Sequence, residues 1–482
     1  MFACYVRYDT FAALIESILT YKMRILLFAL LLLCQVVNAQ FKIHNSPNVN
    51  VGNGFNADML ELLGYVDGKY YVCNARTATL YSYDGKMGLV AEVKADVKVQ
   101  GEFTRTLFVN DKLYLVVIEK EGDKNKLVAY EISLDGKTKR AEALTAALGE
   151  ITLEAKLKFD VLKAGGVLRA TQSPDGSKIA FYYTGSSMKK ENVKITAIML
   201  DNKFNKLWSK KATLPFEYTA KSDYGSLTID NLGNACATVQ TETENYDGTY
   251  MHCFNSAGSM QKGTYPVSTS KYVKAFEVLP DHKGNFYVAA NYHTFKDASS
   301  GIKLLMYNCD STKAIWTKDY NHAKMYTRDK NKGTDALEFS LGNFGILPNG
   351  NLYATQEQGR DGHLLGILFT TFSNTGELLN ATFQPKAQAY ELMTPAPALV
   401  KDGIVYLNYN FFGEAYIGID VDQEHGFYVL AYDGKKVEKT FLPDTKINGI
   451  LRGPSLAIGD SHLLMFFAVD FKTAFVGLFE IK

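Results

Sequence analysis

Ser173-Pro174-Asp175-Gly176-Ser177-Lys178-Ile179-Ala180-Phe181 reads as a tight turn feeding an apolar strand. Its skeleton is an Asp/Asn/Gly turn followed by aliphatic and aromatic residues, and it returns along the chain. The turn markers are Asp67-Gly68, Asn110-Asp111, Asp175-Gly176, the segment 230–233, the segment 281–284, Asn349-Gly350, Asp402-Gly403 and Gly459-Asp460. They stand about 56 residues apart, a period that signals repeated supersecondary units. Each marker precedes a predicted strand: 70–73, 113–118, 179–183, 235–239, 286–290, 352–354, 404–407 and 463–467.

A second turn follows within most units, as at Asp84-Gly85, Asp135-Gly136, Asp201-Asn202, Ala257-Gly258, 374–376 and Asp433-Gly434. A unit therefore reads strand A, tight turn, strand B, loop, strand C, tight turn, strand D. Such a four-stranded antiparallel meander cannot bury both faces alone and must stack on its neighbours. Radial stacking predicts an all-β fold, a β-propeller of eight blades. Seven is the alternative count, because the first two units are the shortest. The last unit supplies only three strands before the chain stops, so Phe41-Lys42-Ile43-His44 is expected to pair with 475–481 and close the ring.

The composition agrees. Apolar residues make up 47% of 482, with 30 Tyr and 29 Phe against 2 Trp, a bias towards half-buried strands. The formal charge of +1 leaves no basic excess to neutralise phosphates, which argues against nucleic acid as a partner. Ahead of the repeats, Lys22-Met23-Arg24, the apolar run 25–33 and Val37-Asn38-Ala39 read as a secretory signal cut before Gln40. The division is thus 1–39, extension and signal peptide, and 40–482, propeller. Nine apolar residues are too few for a permanent membrane span, and Leu33 before Cys34 does not suit lipid modification. An exported protein, periplasmic or at the cell surface, and a monomer, is expected.

Ser173–Phe181 resembles the SPDG repeat of TolB-type and WD40-like bacterial propellers. LDNKFNKLWSKK (200–211), LPDHKGNFYVAANY (279–292) and ILPNGNLYA (346–354) are similar to repeats of large exported bacterial propellers. The resemblance covers about half of the expected mature chain and specifies architecture; in TolB-like proteins it implies protein binding in the periplasm.

Outside the leader the cysteines are Cys73, Cys236, Cys253 and Cys309, with no CxxC spacing to suggest zinc. A hairpin centred on Glu244-Asn245 would set Cys236 opposite Cys253, where a disulfide would suit an oxidising compartment. Two buried free thiols is the plainer alternative.

In a propeller the A–B and C–D turns lie on one face, and the B–C loops and D-to-A crossings on the other. Here the second set is long: 185–192, 242–248, 294–301, 358–363 and 411–425, with crossings 145–165, 321–334 and 385–395. Binding surfaces are built disproportionately from such loops. Near the A-strand starts on that face stand Glu61, Arg105, Arg169, Asp223, Tyr224, Tyr272, Glu338 and Arg452. Three arginines and two tyrosines around one opening suit a carboxylate, a phosphate or a sugar; pairing with acids between blades is the competing reading.

Catalytic patterns are sparse. The eight histidines show no HxH or HExxH spacing, and no GxSxG elbow exists. The acids of Asp420-Val421-Asp422-Gln423-Glu424 alternate as in a calcium loop, but the sixth position is not Gly. Trp208 and Trp316 are too few for quinoprotein repeats, so no cofactor and no metal are expected. The residues favour a non-enzymatic propeller binding a protein, peptide or glycan. The rival is a polysaccharide hydrolase or lyase using acids such as Asp223 and Glu338.

Overall fold

The computed structural model describes residues 41–482 except 48, 51–59, 75–78, 96–104, 111, 122–123, 134–136, 152–167, 186–191, 218–226, 244–245, 260–264, 269–271, 294–299, 312, 326–337, 361–362, 390–397, 411–425, 444–448, 451–454 and 469–472. The leader segment, with Cys4 and Cys34, lies outside the described residues, as do most of the long loops and crossings. Among the described residues no helix is long and apolar enough to cross a membrane.

The chain forms eight four-stranded antiparallel blades in a ring, a β-propeller. Blades 1 to 7 cover 60–94, 105–151, 168–217, 227–268, 272–321, 338–389 and 398–443, each a meander from innermost strand A to outermost strand D. Blade 8 takes its A lane from Gly449–Ile450 and Leu456–Ile458, its B strand from His462–Ala468 and its C strand from Thr473–Ile481. Its D lane is Phe41–Asn45 with Val49–Asn50, and Phe41 lies opposite Ile481. Eight blades and closure by the N-terminal strand are as the repeats predict.

The turns explain the recurrent Asp and Asn. The Asp84 carboxylate accepts the backbone N–H of Lys86 and of Gly88, both at 2.8 Å. Asp201, Asp230 and Asp281 do the same for the residues two and four further on, and their second oxygens accept from the amides of Asn205, Asn234 and Asn285. One short acid thus satisfies the turn's own donors, which is why Asp and Asn nucleate these corners.

Strands are buried on both faces, so they read as continuous apolar runs. In blade 3, Ile179, Phe181 and Tyr183 join a cluster with blade 2, while Ala180 and Tyr182 join one with blade 4. The described core divides into eight such clusters, one at every seam. The seam between blades 8 and 1, with Leu464, Leu478, Val72 and Tyr83, completes the circle. The two tryptophans act as staples between neighbours. A Cβ on Gly258 of blade 4 would lie 2.8 Å from Trp208 of blade 3, and one on Gly376 of blade 6 would lie 2.6 Å from Trp316 of blade 5.

One element departs from expectation. The crossing expected from residue 145 begins inside a helix, Glu142–Leu148, which interrupts the D lane of blade 2 between Thr138–Arg140 and Glu150–Ile151. Its sequence EALTAAL is rich in helix formers. Leu144, Ala147 and Leu148 fill the seam with blade 3. The exposed edge of the C strand stays satisfied, because Ala129 donates its N–H to Thr145 Oγ1 at 3.0 Å and accepts from the Ala141 N–H at 2.8 Å.

Candidate functional site

The two ends of each blade differ chemically. At the A–B turn end the B strands are apolar. Towards the B–C loop the B strands of blades 4 to 7 turn polar while remaining buried: Thr238, Asn291, Thr355, Gln356, Glu357, Gln358 and Asn408. Strand alternation directs these side chains into the seams, where burying a polar group costs stability unless it is bonded. Both amide atoms of Asn291 and of Asn408 are buried without a hydrogen-bond partner among the described residues. Each such amide carries a penalty of about 1–3 kcal/mol that an apolar residue would avoid.

The seam between blades 5 and 6 holds the densest group. His322, wholly buried, follows the D strand of blade 5 in the short helix His322–Met325. Its Nε2 lies 2.6 Å from Gln356 Oε1, which can only accept, so Nε2 carries the proton. Nδ1 then accepts from the Ser300 hydroxyl at 2.9 Å. Gln356 passes the chain on, donating to Thr370 Oγ1 at 3.3 Å, and Thr370 donates to the Ala354 carbonyl at 3.1 Å. Burial pushes the imidazole down to about 4, against the opposing hydrogen bond to Gln356, so the ring is neutral near pH 7. Phe339, at the head of blade 6, packs on it with ring centroids 4.3 Å apart. With both nitrogens engaged and no exposure, His322 is a strut joining two blades at the rim rather than a free base.

Nearer the axis, Glu277 lies on the A strand of blade 5, on the face turned to blade 6. Its side chain reaches solvent, yet protein flanks it closely enough that burial raises the carboxyl above its ordinary range. Such a carboxyl holds its proton more tightly than a fully solvated one.

The structure places the sequence-predicted residues as follows. Arg105, Tyr272 and Glu338 each begin an A strand, opposite Val116, His293 and Gly359, and Arg169 is the second residue of another, opposite Tyr182. All four A strands start at the B–C loop end, so these positions share one rim. The Arg169 side chain is half-buried; of Arg105, Tyr272 and Glu338 only the backbone is described. Asp223, Tyr224 and Arg452 lie outside the described residues, and so does the acidic loop 420–425. Glu61 braces two blades instead of facing an opening. Its Oε2 accepts the backbone N–H of Thr106 in blade 2 at 3.1 Å, and the Thr106 hydroxyl as well.

Cys236 and Cys253 stand directly opposite in the hairpin Ala235–Thr243 and Tyr246–Phe254, with Cα atoms 4.4 Å apart and sulfurs joined as a disulfide. Cys73 and Cys309 are buried free thiols.

Asn291, His322, Gln356 and Asn408 were not legible as site residues. On a strand an isolated Asn or Gln reads as a solvent-facing position, and only the neighbouring blade turns it inward. The one available signal was the unbroken polar run Thr355-Gln356-Glu357-Gln358 after an apolar strand start.

Fold and site together define an eight-bladed propeller whose B strands in blades 4 to 7 turn polar towards the B–C loop end. No protein-family profile matches the sequence, and no curated protein matches it. Among solved structures, the chain is similar to a polysaccharide lyase of family PL25, an ulvan lyase bound to -[GlcA(1-4)Rha3S]-, at 10% identity and a TM-score of 0.39, over 82% of this chain and 96% of the lyase. It is also similar to prolyl endopeptidases, at 13% identity and a TM-score of 0.40, over 86% of this chain and 55% of theirs. The β-propeller domain of the Trilobed protease from Pyrococcus furiosus aligns at 11% identity and a TM-score of 0.35, over 80% of this chain and 97% of the domain.

Proposed function

We propose that this propeller is an exported, non-enzymatic binding module that takes a protein, peptide or glycan of the cell envelope on its B–C loop face. The observation that carries the reading is the asymmetry of the blades. At one end the turns satisfy their own backbone donors with Asp and Asn side chains. The other holds buried polar side chains in successive seams, beside the long B–C loops on which binding surfaces are commonly built. The likeness of the repeats to TolB-type propellers supports a protein ligand in the periplasm. Affinity capture from envelope extract, alongside a glycan panel, tests it with the full chain and with an Arg169→Ala/Arg452→Ala variant. A ligand retained by the parent and lost by a folded variant is the expected result. Capture of nothing, together with turnover of any glycan, would overturn it.

Glu277 favours a second reading, a polysaccharide hydrolase or lyase with its acid at the channel wall. Shortening of a polysaccharide chain that disappears in Glu277→Gln while the fold persists would establish that reading over the first.

A further inference from the structure

Three sulfurs meet in the seam between blades 4 and 5. Cys236 and Cys253 face each other on the B and C strands of blade 4, on the side turned to blade 5. Cys309 follows the C strand of blade 5, and its Sγ lies 3.9 Å from that of Cys236. All three sulfurs fall within 4.8 Å of one another, and the residues are wholly buried among Met251, Val278, Phe286, Val288 and Leu305. Topology, not sequence spacing, assembles this group, which is why no metal motif shows in the chain.

Three thiolates around a metal at about 2.3 Å form a triangle with edges of about 4 Å. The Cys236–Cys309 separation of 3.9 Å already has that length. The group contains three ligands and no fourth among the described residues, which does not suit tetrahedral zinc. An all-sulfur set of three suits a soft monovalent ion.

We propose that Cys236, Cys253 and Cys309 of the reduced protein form a three-sulfur site for one soft cation of the Cu(I) class, and that the Cys236–Cys253 disulfide closes it. A phosphine opens the site: it splits the S–S bond into two thiols, taking oxygen from water as it becomes the phosphine oxide. Cation binding then releases to solvent one proton for each thiolate formed.

The test uses the full chain carrying Cys4→Ser, Cys34→Ser and Cys73→Ala, so that Cys236, Cys253 and Cys309 are the only cysteines left. Cu(I) is titrated in competition with bicinchoninate. The phosphine-reduced protein is expected to withdraw one equivalent. The oxidised protein and reduced Cys309→Ala, which keeps only the Cys236 and Cys253 thiols, should hold it at least about a hundredfold more weakly. Failure of the reduced protein to withdraw Cu(I), equal retention by Cys309→Ala, or retention of Zn2+ in its place would overturn the proposal. If reduction unfolds the chain, Cu(I) present during refolding should raise Tm in the parent and not in Cys309→Ala; equal Tm values would sink it.

Discussion

At the scale of single residues, the glycines of the turns fall into two physical classes. Gly176 has φ +68 and open space where a Cβ would be, so Gly176→Ala meets only left-handed strain and should cost about 1 kcal/mol. Gly258 has φ +74 and Trp208 2.8 Å from the same point, so Gly258→Ala adds overpacking to strain and should cost about 3 kcal/mol. Urea unfolding of the two variants side by side measures the difference; equal losses would show that Trp208 yields freely. His322 sets a pH dependence. Its ordinary value is near 6.5 and its folded value about 4, so the unfolded chain takes up the proton first. The stability of the neutral, buried ring is full above pH 6.5 and drains away as pH falls towards 4. His322→Gln should lower Tm at neutral pH yet flatten the Tm slope across that window.

Among the elements, the N-terminal strand makes the longest-range pairing in the ring. Phe41 stacks on Phe479 with centroids 5.6 Å apart and meets Tyr406 edge-on at 5.9 Å. Ser46 extends the lock, its N–H reaching the Val476 carbonyl at 2.9 Å and its hydroxyl oxygen accepting the Val476 N–H at 3.0 Å. Phe41→Ala should cost about 3 kcal/mol, read as a lower urea midpoint. His44→Pro, which removes an N–H from the ladder opposite Leu478, should weaken the closure by a similar amount or more. This pairing was legible because the last unit lacked a strand and 41–44 had the pattern to supply one. The Cys236–Cys253 juxtaposition was legible as well, since a hairpin centre fixes register arithmetically. The helix Glu142–Leu148 was not. Seven residues give too short a window for a helical period, and its stability comes from the seam it fills rather than from its own sequence.

For the whole molecule, stability in acid is tied to the corners. Backbone N–H donors hold the Asp84 and Asp433 carboxyls below the usual carboxylate range, and the Ser173 hydroxyl leads the same effect at Asp175. Groups depressed in this way lend stability above their unfolded values, near 3.9, and lose it as pH falls through the lower folded ones. A triple Asp84→Asn/Asp175→Asn/Asp433→Asn variant should show a shallower fall in Tm below pH 4 than the parent. An unchanged acid limb would place the loss elsewhere. The candidate site was less readable than the architecture for a related reason. Turn chemistry is local and visible in five residues, whereas the burial of Asn291 or Gln356 depends on a neighbouring blade some fifty residues away in sequence.

The ladder that joins residue 41 to residue 481 also fixes a sequence of events during biosynthesis. The first segment of the ring to leave the ribosome has to wait, unpaired, for almost the last. A nascent chain can stack successive blades as they emerge, but both free flanks stay open to wrong partners until translation is nearly done. Bringing together ends so distant along the chain makes this the slowest kind of contact to form. A delayed seal keeps the polypeptide loose, and its two flanks unpaired, for longer.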